Sequence, residues 1–456
     1  MLEKWFKLKE HGTDVRTEVV AGLTTFLSMA YILAVNPNIL SASGMNRSGV
    51  FVATALASAL ATFVMAFLAN YPIALSAGLG LNAYFAYTVC LGELGGEPNA
   101  FKVALTAVFV EGLLFIILSL FKIREQIVNG IPANLKNGIS AGIGLFIAFI
   151  GMQNAGIIIH DDATIVGLGS FTNAQVTLAL VGFLIICVLA FYRVKGAVLI
   201  GIIVTWILGM IAQATGWYQV NIEAEAYSVF PDFSQGLQLS GIADTAFKLD
   251  FAWVGSHLIQ FIAIVFAFLY VDLFDTVGTV VGVADKAGLL DKNGQLPRAG
   301  KVLMADAIGT TAGALLGTST VTSFVESSAG VAEGGKTGLT AFTTGVMFLV
   351  ALVLSPIFLA IPGFATAPAL IYVGMLMISS AKNIQFDGEI ADVAGAYMAM
   401  LMMPLAYSIA TGIMFGVLTW VIVKVAEKKA KDVSPVMWVV AVLFLLRIIT
   451  LVTNFQ

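Results

Sequence analysis

Charged residues are scarce in this sequence. Asp, Glu, Lys and Arg make up 11% of its 456 residues, whereas 59% of the residues are hydrophobic. Soluble domains contain about 25% charged residues, so this composition excludes a soluble protein. The mean hydropathy of +0.95 indicates an integral membrane protein. The formal net charge is −4, and no run of basic residues suggests a nucleic-acid partner.

Cysteine and histidine are also rare. Cys90 and Cys187 both lie in apolar stretches, which favours buried free thiols over a disulfide bond. The histidines at positions 11, 160 and 257 fall near the ends of predicted membrane spans, which argues against a zinc site. We interpret the stretch HDDA at 160–163 as a solvated loop. The sequence contains no H-E-x-x-H motif, and we expect no enzyme activity, cofactor or metal.

Apolar segments are abundant. A membrane-spanning helix needs about 20 apolar residues, and dividing the apolar stretches in this way predicts about fourteen spans. Residues 389–424 would form one helix of roughly 54 Å, which is too long for an ordinary pass, so we predict two short passes hinged near Pro404. A further apolar segment, 436–452, contains Arg447. Crossing the membrane and lying at its surface both stay open for this segment.

The two halves of the chain resemble each other weakly. Residues 72–89 and 319–333 are both short, glycine-rich and interrupted, and each is the third segment of its half. Paired interrupted segments indicate an inverted-repeat transporter whose site lies at the midplane of the membrane. Lys and Arg concentrate in the loops on one side of the predicted spans. This asymmetry predicts a multi-pass protein of the cell membrane (inner or plasma) with a cytoplasmic amino terminus.

Acidic residues within apolar sequence are the candidate functional residues. Asp272 and Asp275 are about one helical turn apart, and Glu326 lies in the interrupted segment 319–333. An unpaired carboxylate at bilayer depth costs roughly 2.5–3.5 kcal/mol or more, so such acids usually face a cavity or a partner. Hydrogen bonds that fix helix packing are the structural alternative, but three acids beside glycine and serine favour a substrate or proton site. Asn82 occupies the matching break of the first half.

Two further patterns receive structural interpretations. Glu111 and Asp306 each lie alone within a span, where we expect packing or network roles. Residues 330–337, GVAEGGKT, match the phosphate-binding pattern G-x-x-x-x-G-K-[ST]. A working phosphate loop needs a soluble sheet around it, and the flanking spans leave no room for one. We therefore predict the carboxyl end of a half-helix there, with Lys336 at the cytoplasmic surface.

The chemistry of the acidic cluster suggests its ligand. Carboxylates accept hydrogen bonds or take up protons, and the amino termini of half-helices present N–H donors. Together they suit a small planar solute with both N–H donors and C=O or ring-nitrogen acceptors, such as an oxopurine. Sulfate or bicarbonate would need Lys or Arg, which the cluster lacks. Burial favours a protonated carboxyl group, which supports proton coupling, although Na⁺ coordination by the same oxygens stays open.

Six stretches of the sequence together resemble one known family. They are similar to the nucleobase permeases, nucleobase:cation symporters of the xanthine/uracil permease superfamily, in the AzgA-type branch that carries hypoxanthine, guanine and adenine. The similarity covers nearly the whole chain except about the last twenty residues. The stretches are GLTTFLSMAYILAVNP, SAGLGLNAYFAY, GIGLFIAFIGMQNAG, LYVDLFDTVGT, VESSAGVAEGGKTGLTA and PGFATAPALIYVG.

The resemblance implies a specific architecture. It implies an all-α polytopic membrane protein with fourteen transmembrane segments in two inverted seven-span repeats. Short strands in the broken spans 3 and 10 would meet at the substrate. A core domain (residues 1–121, spans 1–4, and 254–361, spans 8–11) would move against a gate domain (131–216, spans 5–7, and 366–424, spans 12–14), often in a homodimer. The apolar segment 435–456 is then an addition at the carboxyl terminus.

The resemblance also implies roles for single residues. Asp272 and Glu326 would hydrogen-bond the purine, and Asp275 would be a second acid needed for transport. Asn82 would lie near the site, with the backbone of Gly80 beside it. Relatives that carry uracil or xanthine typically have glutamate at the position of Asp272. The shorter acid in this sequence agrees with the purine branch but does not choose among purines.

We therefore predict a secondary active transporter that imports purine nucleobases, with hypoxanthine, guanine and adenine as candidates, by proton symport and alternating access. A uracil or xanthine carrier of the same fold is the alternative within transport, and a channel is a third option. An intramembrane aspartyl protease is the alternative from another class. Such an enzyme needs two converging carboxylates, whereas Asp272 and Asp275 share one predicted helix and we expect no converging aspartate on another span.

Overall fold

The computed structural model describes residues 2–120, 131–221, 227–234, 236–286, 289 and 296–453. Within these residues the chain is mainly helical, with four short strands: β1 (Leu75–Ala77), β2 (Ile158–Asp161), β3 (Ile165–Leu168) and β4 (Val321–Ser323). β1 pairs with β4 and β2 pairs with β3, both antiparallel. The α-helices are Leu2–Phe6, Val15–Met29, Ile32–Ser41, Arg47–Val64, Leu79–Ala83, Ala100–Leu120, Ala133–Asn154, Ala174–Phe191, Ala197–Ala214, Ile242–Thr245, Phe251–Ser256, Leu258–Lys286, Ala299–Leu316, Ser327–Ala332, Gly338–Ala351, Ser355–Ala360, Gly363–Ile378, Ile390–Leu405, Ile409–Ala426 and Pro435–Thr453.

Other helical turns extend several of these helices. The π-helical segments are Met65–Ala69 and Tyr84–Glu93, and the 3₁₀ segments are Leu239–Gly241, Leu352–Leu354, Ser379–Asn383 and Ala430–Asp432. The two π-helical segments continue Arg47–Val64 and Leu79–Ala83 without a break. π turns are rare and concentrate at functional sites. The second π-helical segment therefore indicates that the helix after strand β1 belongs to a functional site.

Nine helices in the described part of the chain are long and apolar enough to cross a membrane. They are Val15–Ser41, Arg47–Ala69, Ala100–Leu120, Ala133–Asn154, Ala174–Phe191, Ala197–Ala214, Gly338–Ala360, Gly363–Asn383 and Ile409–Ala426. Leu258–Leu273 and Ile390–Leu405 are shorter apolar helices. The prediction of a mainly helical, polytopic membrane protein is therefore confirmed. The count of fourteen spans and their inverted repeat stay predictions.

Residues 389–424 form two helices rather than one, which confirms the predicted hinge near Pro404. The first helix ends at Leu405 and the second begins at Ile409. Between them, Tyr407 has a φ of +52°, in the left-handed region, and reverses the chain. The Ser408 side chain then caps the second helix by accepting a hydrogen bond from a backbone N–H. Proline in the last turn of the first helix and the serine cap of the second explain why the helix is interrupted here.

An ionic cluster ties the other ends of these two helices together. Glu389 precedes the first helix, and its carboxylate contacts the Nζ atoms of Lys424 and Lys429 near the end of the second, the latter at 2.8 Å. Asp392 accepts a hydrogen bond of 2.5 Å from Trp420 Nε1 one turn away. The hydrogen bond from Lys424, and to a smaller extent the one from Lys429, lowers the pKa of Glu389 from its ordinary value of 4.5 to about 2.

Small residues let the central helices pack closely. Ala133–Asn154 lies between Gly363–Ile378 and Ile390–Leu405. A Cβ atom placed on Gly138 would lie 2.6 Å from the Cα of Ala396, and one on Gly144 would lie 2.6 Å from a backbone oxygen of the facing helix. Close backbone approach over small residues is the usual packing mode of membrane helices.

The pattern GVAEGGKT is the end of a half-helix, as predicted. Helix Ser327–Ala332 ends within it, and Lys336 is exposed. The backbone N–H donors that would bind a phosphate are occupied by the buried carboxylate of Glu18. Glu18 accepts hydrogen bonds from the N–H groups of Lys336 (3.0 Å), Thr337 (3.3 Å) and Thr340 (3.2 Å), and from the Thr340 hydroxyl (2.6 Å). The motif therefore holds an internal anion at the start of helix Gly338–Ala351.

Several peripheral predictions are also confirmed. Cys90 and Cys187 are free thiols; Cys90 is buried as predicted, whereas Cys187 is half-buried. His160 and Asp162 are exposed on the β2–β3 hairpin, where their side chains pair at 3.0 Å.

The apolar segment predicted at 436–452 is the helix Pro435–Thr453, which packs on Ile409–Ala426. Met437 and Phe444 are buried on its inner side, whereas Val439 and Leu445 are exposed. Residues 1, 121 and 454–456 of the predicted domain boundaries lie outside the described residues.

Candidate functional site

The two interrupted segments meet through their strands. In the β1–β4 pair, Leu75 lies opposite Ser323, Ser76 opposite Thr322 and Ala77 opposite Val321. Hydrogen bonds from Gly78 N to Thr320 O (3.1 Å) and from Phe324 N to Ala74 O (3.0 Å) extend the ladder at both ends. All six strand residues are buried. Non-helical backbone at membrane depth needs its polar groups satisfied inside the protein. The pairing satisfies groups that face the other strand, and the hydroxyls of Thr62 and Thr310 bond outward-facing groups of Leu75 and Val321.

Asp272 lies on helix Leu258–Lys286 and is fully buried. The hydroxyl of Thr276, one turn later, lies 3.0 Å from Asp272 Oδ1, 3.1 Å from Asp306 Oδ2 and 2.9 Å from the Thr322 hydroxyl. A threonine hydroxyl has one proton, so it donates to only one of these oxygens at a time. The network joins acids from two helices to strand β4.

The position of Asp306 corrects one expectation. From the sequence, no aspartate on another span was expected to converge on Asp272. The structure brings the Asp306 carboxylate, from helix Ala299–Leu316, to the same hydroxyl group that Asp272 contacts. The physical reason is tertiary: this helix also holds strand β4, through a hydrogen bond from the Thr310 hydroxyl to Val321 O at 2.9 Å. Asp306 therefore has the network role predicted for it, and it contacts the same hydroxyl as the candidate site residue Asp272.

Glu326 lies directly before half-helix Ser327–Ala332, three residues after β4. Its Oε1 accepts a hydrogen bond of 2.5 Å from the hydroxyl of Tyr31. Tyr31 is fully buried in the break between helices Val15–Met29 and Ile32–Ser41, whereas Glu326 is partly accessible. Tyr31 therefore holds one oxygen of a carboxylate that still presents surface to its surroundings.

Asp272 and Glu326 approach the same short stretch of chain. Asp272 connects through Thr276 to Thr322, four residues before Glu326. The helix that carries Asp272 also packs against both β4 and the half-helix that follows Glu326. Within the described residues, no group of three or more His, Cys, Asp or Glu side chains is arranged to hold a metal ion.

Asn82 links the two interrupted segments. It is fully buried, its amide oxygen accepts a hydrogen bond from the Ser319 hydroxyl, and its Nδ2 donates to Ala77 O at 3.4 Å. On the neighbouring residue of the second segment, the Thr320 hydroxyl donates to Glu111 Oε2 at 3.1 Å. Both Asn82 and Glu111 thus support the backbone that carries the acids.

The remaining two predicted site residues differ in what the structure shows. Gly80 faces helix Ala133–Asn154: a Cβ atom on it would lie 3.0 Å from Ile143 Cγ2. Its lack of a side chain therefore allows close packing on that helix. Asp275 lies in helix Leu258–Lys286, but its side chain lies outside the described residues.

Polar contacts connect the interrupted segments to two neighbouring parts of the chain, helix Ala133–Asn154 and the turn before helix Ala197–Ala214. Lys195, in the turn before Ala197–Ala214, pairs with Glu333 at 2.6 Å. The Tyr87 hydroxyl and the Asn154 side chain are 3.2–3.3 Å apart at the far end of helix Ala133–Asn154. These contacts lie at the two ends of the segments, so both ends are joined in this conformation.

Comparison with known proteins assigns the chain. The family model for xanthine and uracil permeases, described as "Permease family", matches residues 16–415. The chain belongs to this nucleobase permease family. Among its relatives, the guanine/hypoxanthine permease PbuO of Bacillus subtilis is 46% identical over 448 residues, which are 98% of the permease and 100% of PbuO. The adenine permease AdeP of Escherichia coli is 40% identical over 449 residues, 98% and 96% of the two chains.

Solved structures show the same fold. The transmembrane domain of the cyanobacterial bicarbonate transporter BicA matches the permease with a TM-score of 0.66 at 15% identity, over 87% of the permease and 97% of that chain. The structure of SLC26A9 matches with a TM-score of 0.64 at 11% identity, over 91% and 66%. At these identities the likeness describes the fold alone.

Sequence reasoning missed Tyr31 and Thr276. Thr276 stands four residues after Asp272, a spacing that places two side chains on one helix face, and this signal could have found it. Tyr31 lies within a quoted family-like stretch, but nothing local to that stretch indicates its partner. Its hydrogen bond to Glu326 depends on two segments that are distant in the chain.

Proposed function

We propose that the permease imports purine nucleobases by proton symport, with hypoxanthine and guanine as the principal substrates and adenine as a further one. The names of PbuO and AdeP support this substrate class. The observation that carries the proposal is the convergence of acids on residues 322–326: the Asp272 network on Thr322, and the partly accessible Glu326 held by Tyr31.

The proposed contacts follow from hydrogen-bond chemistry. An oxopurine has N–H donors on both of its rings, and carbonyl and ring-nitrogen acceptors lie beside them. Ionised carboxylates only accept, so Asp272 and Glu326 would each receive an N–H of the purine. Asn82 and the backbone at Gly80 would lie beside the ring. A buried polar site rejects a solute that lacks a required group by about 10⁴–10⁵.

The hydroxyl network supports proton coupling. Asp272 and Asp306 both approach the single Thr276 hydroxyl, which can donate to one of them. Two ionised carboxylates this close repel each other at low dielectric, and one bound proton removes the repulsion. We assign proton coupling to Asp272, Asp275 and Glu326 and include Asp306 as a positioning partner of Asp272.

We further propose the transport cycle and architecture that family membership suggests. Fourteen spans would form two inverted repeats, with a core (1–121, 254–361) moving against a gate (131–216, 366–424) and segment 435–456 outside both. The amino terminus would be cytoplasmic in the cell membrane, and two chains would form a homodimer. The Lys195–Glu333 pair would join gate and core on one side of the membrane and must separate when that side opens.

A xanthine or uracil carrier is the second candidate, because the matching family model is that of xanthine and uracil permeases. Purified protein should bind hypoxanthine and guanine more tightly than xanthine or uracil when all are measured by calorimetry. Tighter binding of uracil or xanthine would replace the proposed substrate with the second candidate.

Substitutions test the site directly. Asp272→Asn and Glu326→Gln should abolish labelled hypoxanthine uptake while the protein still reaches the membrane, because each replaces a pure acceptor by an amide. Asp162→Asn removes one exposed carboxylate from the β2–β3 hairpin and is the matched control. If both site variants transport as the control does, the site assignment is wrong.

The coupling ion has its own test. Purified permease in sealed vesicles should accumulate hypoxanthine above the outside concentration when an inward proton gradient is imposed. A protonophore should collapse the accumulation, and a sodium gradient alone should not support it. Accumulation driven only by sodium would overturn proton coupling, and equilibration without accumulation would indicate a channel.

A further inference from the structure

We propose that a cleft at the membrane face carrying the amino terminus binds an anionic phospholipid. The cleft has a volume of about 350 Å³ and lies between the amino-terminal helix, the end of helix Arg47–Ala69 and the start of helix Ala299–Leu316. One wall is apolar and formed by Trp5, Phe67 and Leu68. The other wall is mainly basic and contains Lys7, Arg298 and Lys301, together with Glu10.

The apolar wall lies where a membrane span ends. Phe67 and Leu68 belong to the last turn of the candidate span Arg47–Ala69. Trp5 is 59% exposed, and its ring meets the ring of Phe67 edge-on at 5.5 Å. Exposed tryptophan beside the end of a span is typical of the interface between headgroups and acyl chains. This wall therefore suits the upper part of an acyl chain.

The short amino-terminal helix is anchored beside the cleft. Phe6 stacks on Phe67 at 5.8 Å and is buried, and the Asn70 side chain donates to Phe6 O at 3.2 Å. The same Asn70 accepts the N–H of Gly338 at 2.8 Å. Trp5 is thus held over the cleft by contacts to the body of the protein.

The basic wall suits a phosphodiester. Arg298 precedes helix Ala299–Leu316, and its guanidinium carbon lies 4.5 Å from the ring centroid of the buried Tyr71. The Tyr71 hydroxyl donates to Pro297 O, so ring and loop are joined. A guanidinium carries five N–H donors in a planar fork that matches a phosphate, and the contact with Tyr71 holds the Arg298 group beside the cleft. Lys301, one turn further, is exposed.

The charge of the cleft selects an anionic lipid. Lys7 is paired with Glu10 at 3.1 Å, so those two charges offset each other. Arg298 and Lys301 remain as two positive charges, with His11 also in the lining. A zwitterionic headgroup would bring a cation against them, whereas phosphatidylglycerol adds none. The apolar wall beside the basic one favours a lipid over a free phosphate.

The test compares lipids on the full-length protein in detergent. Titration with phosphatidylglycerol should raise the melting temperature and leave bound lipid in native mass spectra, whereas phosphatidylcholine should not. Arg298→Gln with Lys301→Gln should weaken phosphatidylglycerol retention by about fivefold for each basic residue. Lys428→Gln with Lys431→Gln removes the same charge from exposed positions outside the cleft and should retain the lipid like wild type.

Two further measurements distinguish the proposed lipid site from a folding defect of the double variant and from a site for free phosphate. Lys301→Glu alone leaves the contact between Arg298 and Tyr71 in place and should also reduce retention. Glycerol phosphate, which has the same phosphate chemistry without acyl chains, should not displace the lipid. Equal retention of the two lipids, equal retention by the cleft and control variants, or displacement by glycerol phosphate would each overturn the proposed lipid site.

Discussion

Replacing Glu18 should unfold the start of helix Gly338–Ala351 more readily than any comparable surface change. Its carboxylate accepts three backbone N–H groups and one hydroxyl. In Glu18→Ala, the Thr340 N–H keeps a bond of 3.2 Å to Thr337 O, and the Thr340 hydroxyl keeps Glu18 O at 3.3 Å. Thr337 is fully buried, so its N–H is the donor left without an acceptor, whereas Lys336 is exposed.

The expected magnitude follows from the buried N–H of Thr337. A buried donor left without an acceptor costs about 1–3 kcal/mol, so Glu18→Ala should destabilise the protein by about that amount. Glu18→Gln keeps one carbonyl oxygen for Thr337 and Thr340 and loses the charge that faces the helix terminus. That charge contributes about 0.3–1 kcal/mol, and up to about 2 kcal/mol when partly buried. The glutamine variant should therefore fall between wild type and alanine.

The assay is thermal unfolding of purified protein, read as loss of the monodisperse peak in size-exclusion chromatography after heating. The control is Glu97→Ala, which replaces an exposed glutamate in the loop before helix Ala100–Leu120. It should change the free energy of unfolding by less than about 0.5 kcal/mol. Equal melting of the Glu18→Ala and Glu97→Ala variants would refute the capping role. Binding of a nucleotide or phosphate that depends on Lys336 would refute the claim that Glu18 occupies the phosphate-like position.

Three further predictions concern other parts of the structure. Lys195→Glu and Glu333→Lys should each alter the initial rate of uptake, and the double swap should restore it. Both groups are partly exposed, so the coupling energy between the two substitutions should be about 0.2–1 kcal/mol. Strictly additive effects of the two substitutions would disprove the pairing. Gly80→Ala should slow transport without unfolding the protein, since the new methyl group would press on the facing helix, and wild-type uptake would contradict this. Because the pKa of Glu389 is depressed to about 2, its contribution to stability is present above pH 4.5 and is lost as the pH falls toward 2. The difference in melting temperature between wild type and Glu389→Gln should shrink over that pH range. A constant difference would show that Lys424 does not lower the pKa of Glu389.

Properties that arise from local sequence were predictable. Lipid surroundings demand apolar residues along whole helices, so composition alone identified a membrane protein. Pro404 cannot donate a backbone hydrogen bond within a helix, and the chain breaks directly after it. The two interrupted segments were visible because glycine, serine and threonine replace leucine and isoleucine there. The acids Asp272 and Glu326 stood out for the same reason, as costly residues in apolar surroundings.

The partners of these residues were decided only by tertiary structure. Nothing in the spacing of residues 272 and 306 indicates that both carboxylates approach one hydroxyl, and Tyr31 and Glu326 come from opposite halves of the chain. Glu18 occupies the backbone donors of a motif whose sequence resembles a phosphate loop. Composition and periodicity report how each segment meets lipid, because that depends on its own side chains. A hydrogen bond between distant segments depends on how the helices pack, and one sequence carries no local signal of that packing.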